Sequence, residues 1–172
     1  SLTRLGVEHV ALYYVHRRDP RVEIEDVMAT LLAFKAEGKI GGIGFSEISP
    51  ATLRRASAVG TVDAVQNEYS LWSRYPDLGI IQTCAELGVA FVPFSPLGRG
   101  MFAPIPPVPE EFREGDIRKF QPRFLEPNFS FNVQMVEEFK ALANELDSSS
   151  VTLAIAWCLG RGSHLIPIPG TR

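Results

Sequence analysis

The run Leu12-Tyr13-Tyr14-Val15-His16-Arg17-Arg18-Asp19-Pro20 decides how the chain folds, because an apolar segment stops in it at a histidine and then turns polar. Aromatic and β-branched residues over so short a span, 9–15, read as a buried strand and not as a helix. Asp19-Pro20 marks the turn that leaves it. In barrels of parallel strands the chemistry gathers at the carboxyl ends of the strands and the packing at the opposite face, which makes His16 the first candidate functional residue. A lone strand-end histidine more often does no more than bond a loop carbonyl, so the rest of the chain has to decide.

Downstream, Ile24, Val27, Met28, Leu31 and Leu32 recur at helical spacing, with Glu23, Glu25 and Asp26 in the first turn, where the helix dipole favours acids. Gly38 stops that helix. A second strand covers 40–45 and carries Gly41, Gly42 and Gly44, as a strand does where a neighbouring backbone or a ligand comes close. Ser49 caps, and Pro50 opens, a short helix to about Ala58. A third strand over 62–66 runs into Gln66-Asn67-Glu68-Tyr69. A helix over 78–87 closes at Gly88, and a fourth strand over 89–94 runs into Ser95-Pro96-Leu97-Gly98-Arg99-Gly100. From Met101 to Asn128 proline and phenylalanine recur without a regular period, and a loop of that length is usually functional or mobile. Helices over 133–146 and 151–159 follow, Ser149 capping the second. A fifth strand over 165–168 leads into Pro169-Gly170-Thr171-Arg172.

Strand and helix in alternation mean parallel strands joined by crossover helices, in units of about 30 residues. A complete eightfold barrel needs about 250 residues, more than the 172 present. Two architectures fit: an open doubly wound sheet, or a barrel of which only part lies in this chain. At each of the five strand ends stands a polar residue, His16, Ser46, Gln66, Ser95 or Thr171, and their recurrence at one rim argues for a shared site.

Composition excludes several classes. An apolar fraction of 45% with 22% charged residues is that of an ordinary globular domain. Seventeen basic against twenty acidic residues leave a net charge of −3 without a basic run, so nothing marks a nucleic-acid or anionic-membrane partner. The longest apolar stretch, near 153–159, is far short of the ~20 residues that span a bilayer, and no leader pattern stands at either end. Cys84 and Cys158 sit singly in helical patterns, with neither zinc-ligand nor disulfide-scaffold spacing. These features describe a reduced, cytoplasmic protein without metal.

Seven blocks, in order and in register, resemble the aldo-keto reductases: Ser1-Leu2-Thr3-Arg4-Leu5-Gly6, Leu12-Tyr13-Tyr14-Val15-His16-Arg17, Gly38-Lys39-Ile40, Ile43-Gly44-Phe45-Ser46-Glu47, Gln66-Asn67-Glu68-Tyr69-Ser70-Leu71, Phe94-Ser95-Pro96-Leu97-Gly98-Arg99-Gly100 and Ile166-Pro167-Ile168-Pro169-Gly170-Thr171-Arg172. The resemblance implies a (β/α)8 TIM-type barrel of which this chain is the second half, from the fourth strand to the eighth. It implies hydride transfer between NADPH and an aldehyde or ketone. Of the family's catalytic aspartate, tyrosine, lysine and histidine, only the histidine falls here, at His16. The others belong to strands ahead of Ser1, so the chain as it stands lacks the general acid. By the same resemblance Phe94 stacks on the nicotinamide, Ser46 and Gln66 bond its carboxamide, backbone N–H groups of Ser95, Leu97 and Gly98 take the pyrophosphate, and Gly170, Thr171 and Arg172 continue the cofactor site. The groups gripping the 2′-phosphate lie mostly beyond Arg172.

The chain departs from the family pattern at Glu47, where many relatives have asparagine, at Gly41-Gly42, at Met101-Phe102-Ala103-Pro104 and at Thr152. Physical chemistry supports the roles: charge builds on the carbonyl oxygen during hydride addition, and a fixed donor such as His16 stabilises it more than the neutral substrate. The alternative is an NADPH-binding regulatory or channel-associated subunit with little turnover. Such relatives carry asparagine in the histidine's place, so His16 favours the enzyme. A third reading is a scaffold. The partner expected is a small carbonyl compound, and the motifs carry no signal for oligomeric state.

Overall fold

Four strands, β1 (Val10–Val15), β2 (Ile40–Ser46), β3 (Ala64–Glu68) and β4 (Ala90–Phe94), lie parallel in the spatial order β1-β2-β3-β4 in a computed structural model that describes residues 1–170. Parallel neighbours cannot be joined by a hairpin and need a crossover. The crossovers contain α2 (Ile24–Ala36), α3 (Pro50–Val59) and α4 (Ile80–Leu87), while α1 (Leu2–Leu5) precedes β1. Spatial order equals sequence order, so each crossover steps the same way. A doubly wound sheet reverses its order at a switch point; this one does not, and its winding is that of a barrel. The helices follow suit, α2 packing on α3 and α3 on α4.

Side chains alternate across each strand, and one row shows what this achieves. Phe45, Val65 and Phe91 are cross-strand partners, and Phe91 bridges to Leu165. All four are buried in one core with Ile24 and Met28 of α2, Leu53 of α3 and Ile80 of α4. Burying each such side chain is worth roughly 1.5–3 kcal/mol, so this row fixes the register. On the other face Tyr14 pairs with Gly44. A Cβ on Gly44 would come within 2.5 Å of the Tyr14 ring, and one on Gly41 within 2.7 Å of the Ala11 carbonyl. The glycines of β2 are there because β1 lies against them.

The helix caps form as the sequence implies: Ser49 Oγ accepts the Thr52 N–H at 3.2 Å ahead of Pro50, and Ser149 Oγ accepts the Thr152 N–H at 3.0 Å ahead of α6 (Ser150–Leu159). Other boundaries move, each for a local reason. β3 begins two residues later than expected, because the Asp63 carboxylate takes the Ile43 N–H at 2.8 Å where a backbone carbonyl would otherwise sit. The helix expected from Leu78 is a 3-10 turn over Tyr75–Leu78 and then α4, parted by Gly79 at φ 133°. The helix expected from Val133 starts earlier, as α5 (Asn128–Glu145), since Phe129 already packs with Val133 on the second core.

The fifth strand expected over 165–168 is two isolated bridges, Phe91 to Leu165 and Phe94 to Ile168. The cause is Pro93. Phe91 N–H donates to the His164 carbonyl at 2.8 Å, Ile166 N–H to Phe91 at 2.9 Å and Ile168 N–H to Pro93 at 3.0 Å. The remaining rung would need a donor that proline lacks. At the opposite side β1 pairs with β2 alone among the described residues.

The long segment after β4 is neither strand nor α-helix, yet it is packed. Met101, Phe102, Phe112 and Phe124 bury themselves with Val136 of α5 and Ala154 of α6, and Phe102 stands 5.3 Å from the Phe139 ring. Among the described residues no helix is long and apolar enough to cross a membrane.

Gly44→Ala is expected to destabilise by about 1–3 kcal/mol, the usual cost of overpacking, and to cost less in a Tyr14→Ala background. Urea unfolding of the four variants checks this; equal penalties in both backgrounds would place the strain elsewhere.

Candidate active site

The strand register builds the site in rows on the face away from the helices. Tyr14, Gly44, Ala64 and Ala90 form one row. Two residues further along, Ser46 is paired with Gln66, and Gln66 with Val92. The next row sets Glu68 against Phe94 and Phe94 against Ile168. His16 follows the Val15–Phe45 pair and so falls beside Ser46. Four of the residues singled out in the sequence, His16, Ser46, Gln66 and Phe94, thus come together at one rim on adjacent strands.

Their surroundings differ. His16 is exposed, and its imidazole has no hydrogen-bond partner among the described residues, so it is open to a ligand. Ser46 is buried, and its hydroxyl accepts from Arg17 Nη1 at 2.8 Å; the same nitrogen donates to the His16 carbonyl at 2.6 Å. Gln66 lies within β3 and not at its end, half-buried. Tyr14 lies on the row below. Burial raises its phenol above the ordinary value, with the Gln66 side chain beside it acting in the opposite direction.

A second set of rim residues forms a network to which the sequence alone assigns no role, although Glu47 within it is already marked as a departure from the family pattern. Glu47 takes φ 56°, its N–H donates to Asn67 Oδ1 at 2.9 Å, and its carboxylate accepts the Glu68 N–H at 2.6 Å. Glu68 then receives Arg99 Nη2, Arg123 Nη1 at 3.1 Å and the Ser73 hydroxyl at 2.9 Å. Arg99 belongs to the turn after β4 and Arg123 to the long segment that follows, so one carboxylate clasps both to β3. Glu47, Asn67, Glu68, Ser73 and Arg123 also line a small cavity of about 200 Å3.

Next to these rows runs a groove of about 1030 Å3. Phe94, Ser95, Leu97 and Gly170 line it, which joins four expected cofactor residues in one place, and Ala103, Ile105, Val108 and Phe112 of the long segment line it too. Arg99 and Arg118 are its cations among the described residues. Arg118 is held by Asp116 at 2.6 Å and lies 4.2 Å over the Phe112 ring. Gly98 does not line the groove: its N–H donates to the Ser95 carbonyl at 3.0 Å and closes the turn, so that amide is not free for a pyrophosphate as the sequence reading has it. Thr171 and Arg172 lie outside the described residues.

Glu68 supplies a pH test. Burial by itself would raise its carboxyl, but Arg99, Ser73 and Arg123 outweigh it and hold the group below its ordinary 4.5. A depressed folded value means stabilisation that is present above the unfolded value and lost as pH falls through the folded one. Wild type is therefore expected to exceed Glu68→Gln in stability at pH 7, with the gap closing on acidification below about pH 4.5. Denaturant midpoints at a series of pH values check this, and a gap independent of pH would rule out the ionised clasp.

Comparison with known proteins agrees with this geometry. The model of the "Aldo/keto reductase family" matches residues 1–172. The chain is 43% identical over 171 residues to "Probable aldo-keto reductase 1" of Glycine max, covering 99% of this chain and 49% of that protein. It is 40% identical to "Aldo-keto reductase yakc [NADP(+)]" of Schizosaccharomyces pombe, covering 100% of this chain and 52% of the relative. Among solved structures, a glycerol dehydrogenase from Gluconobacter oxydans superposes with TM-score 0.84 at 25% identity, over 97% of this chain and 51% of the other. A thermostable aldo-keto reductase does so with TM-score 0.73 at 21% identity, over 99% and 52%, a likeness of fold. The chain thus spans about half the length of the curated relatives it matches, and the parallel sheet described above is part of their barrel. On the family match over its whole length, the chain belongs to the aldo/keto reductase family.

Proposed function

We propose that the protein containing this chain is an oxidoreductase that uses NADPH to reduce an aldehyde or ketone to an alcohol. The observation that carries the reading is the rim itself: an unpartnered imidazole, a hydroxyl and amide in register, and one row beyond them an aromatic ring, Phe94, that borders the groove. Family membership and an NADP(+)-named relative support the cofactor. The cysteines support a reducing, cytoplasmic setting: both are buried and unpaired, and burial pushes the Cys84 thiol up to about 12 and Cys158 to about 11, so neither is primed for redox chemistry.

The residues present fit a nicotinamide dinucleotide. Ser46 and Gln66, side by side, offer the hydroxyl and amide partners that a carboxamide needs, and Phe94 offers a flat apolar face. The groove has mostly apolar walls, and Arg99 and Arg118, which line it, already face carboxylates, Glu68 and Asp116, so they are held in place ahead of any phosphate. The bound cofactor supplies the hydride. The chain's own part is to orient and to stabilise: His16 donates a hydrogen bond to the substrate carbonyl oxygen as negative charge develops there, which lowers the transition state more than the ground state. The proton for that oxygen comes from a group that these residues do not provide. Channel-associated or regulatory binding without turnover would leave an exposed, unpaired histidine at this rim without a task, and no observation favours it.

In the intact protein, Phe94→Ala is expected to raise the NADPH dissociation constant several-fold, because an aromatic stack is worth about 0.5–1.5 kcal/mol beyond area; fluorescence titration measures it, and an unchanged constant removes Phe94 from the site. His16→Ala is expected to lower turnover by ~10² to 10³, the usual cost of losing one oxyanion donor, with cofactor affinity nearly unchanged. Wild-type turnover in that variant, or loss mainly of NADPH binding, would return His16 to a structural role.

A further inference from the structure

Arg17 joins two parts of the rim through a single atom. Its Nη1 donates at 2.6 Å to the His16 backbone carbonyl and at 2.8 Å to Ser46 Oγ. That nitrogen carries two N–H groups, and these two acceptors use both. Arg17 is itself exposed, whereas Ser46 retains 4% of its surface. The guanidinium therefore spans from the end of β1 to the end of β2 and lies over the hydroxyl.

The consequence is chemical. A serine hydroxyl has one proton and two lone pairs, and the proton turns to suit its neighbours. A guanidinium has no lone pair to offer, so Ser46 Oγ must accept from Arg17. Its own O–H then has no competing partner among the described residues and is left as a donor. The positive charge behind the oxygen polarises that O–H and strengthens it in this role. Without Arg17 the hydroxyl would turn either way, offering a lone pair to an amide NH2 as readily as a proton to a carbonyl.

We propose that Arg17 is a positioning residue: it fixes Ser46 as a donor toward the carboxamide oxygen of the nicotinamide, and it holds the His16 backbone at the same time. Gln66, the register partner of Ser46, is left to serve the NH2 side of the same carboxamide. One side chain thereby sets the ring against the group that meets the substrate carbonyl, and the orientation of hydride transfer depends on it. This rests on the carbonyl-reductase reading above.

The test is a double-mutant cycle in the intact protein, with single-turnover hydride transfer from NADPH to 4-nitrobenzaldehyde as the readout and NADPH affinity from fluorescence titration beside it. Arg17→Met and Ser46→Ala are each expected to slow hydride transfer about tenfold, the scale of one hydrogen bond to a charged or oriented group, with a smaller effect on affinity. The double variant is expected to be no slower than the slower single one, because the two residues act as a unit. Arg17→Lys keeps the charge but loses the planar fork, and is expected to behave like Arg17→Met. Multiplicative losses in the double variant, full rate in Arg17→Lys, or tighter NADPH binding by Arg17→Met, which would make the guanidinium a competitor for the Ser46 hydroxyl, each overturn the proposal. A wild-type protein that binds NADPH and reduces the aldehyde while the variants combine multiplicatively overturns this inference alone. Absence of NADPH binding by the wild type overturns the reductase reading and this inference with it.

Discussion

Parallel strands wound in one direction must all deliver their carboxyl ends to the same rim, and nearly every property of this molecule follows from that constraint. The order β1-β2-β3-β4 is held by the row Phe45, Val65, Phe91 and Leu165 against the helices. With that row fixed, two-residue periodicity leaves no freedom on the opposite face: Ser46 must face Gln66, and Glu68 must face Phe94. The rim chemistry is in this sense a product of core packing. A one-residue slip of β3 would turn Gln66 toward the helices and Val65 into the site.

Around the rim, charges are spent in pairs. Arg99 and Arg123 converge on Glu68, and Arg118 on Asp116. The turn after β4 contains three residues at positive φ besides Gly100, namely Ser95, Gly98 and Arg99, a conformation that ordinary side chains enter at a cost. The Glu68 clasp and the Gly98-to-Ser95 bond hold the turn in that shape. The segment beyond it, whose regular structure is limited to short 3-10 turns over Pro109–Glu111, Ile117–Phe120 and Pro122–Phe124, relies on its phenylalanines and on α5 and α6 to bury them. Groove and clasp are thus walled by a segment whose order comes from side chains and not from a backbone ladder.

How much of this could be read in the chain depends on the distance over which each residue acts. His16, Ser46 and Ser95 were legible because strand ends announce themselves locally, in a switch from apolar to polar residues, whereas Phe94 entered through the family resemblance alone. The caps at Ser49 and Ser149 were legible for the same reason. Arg17 was not, since nothing within its own segment points to Ser46, 29 residues on. Nor was Glu68 as a clasp, whose partners lie 31 and 55 residues away and become neighbours only when the register is known. Tyr14 read as one more strand aromatic until β2 placed Gly44 beneath its ring. Two boundary shifts have the same origin. The Asp63 carboxylate delays β3 by substituting for a backbone acceptor, and Pro93 thins the fifth ladder from a neighbouring strand. Pattern rules applied to one strand at a time register neither effect.

Pro93 has one more effect. Between β4 and the segment at 165–168 the sheet is joined by three backbone hydrogen bonds among the described residues, with a rung missing midway. Phe94 stands on one bank of this seam and Ile168 and Gly170 on the other, and all three border the groove. Local opening costs least where the fewest protected amides must be broken. The sheet is therefore weakest along the line that a long ligand in the groove would cross, and an occupant touching both banks would act as a stitch, restoring through its own contacts the cohesion that the proline removes.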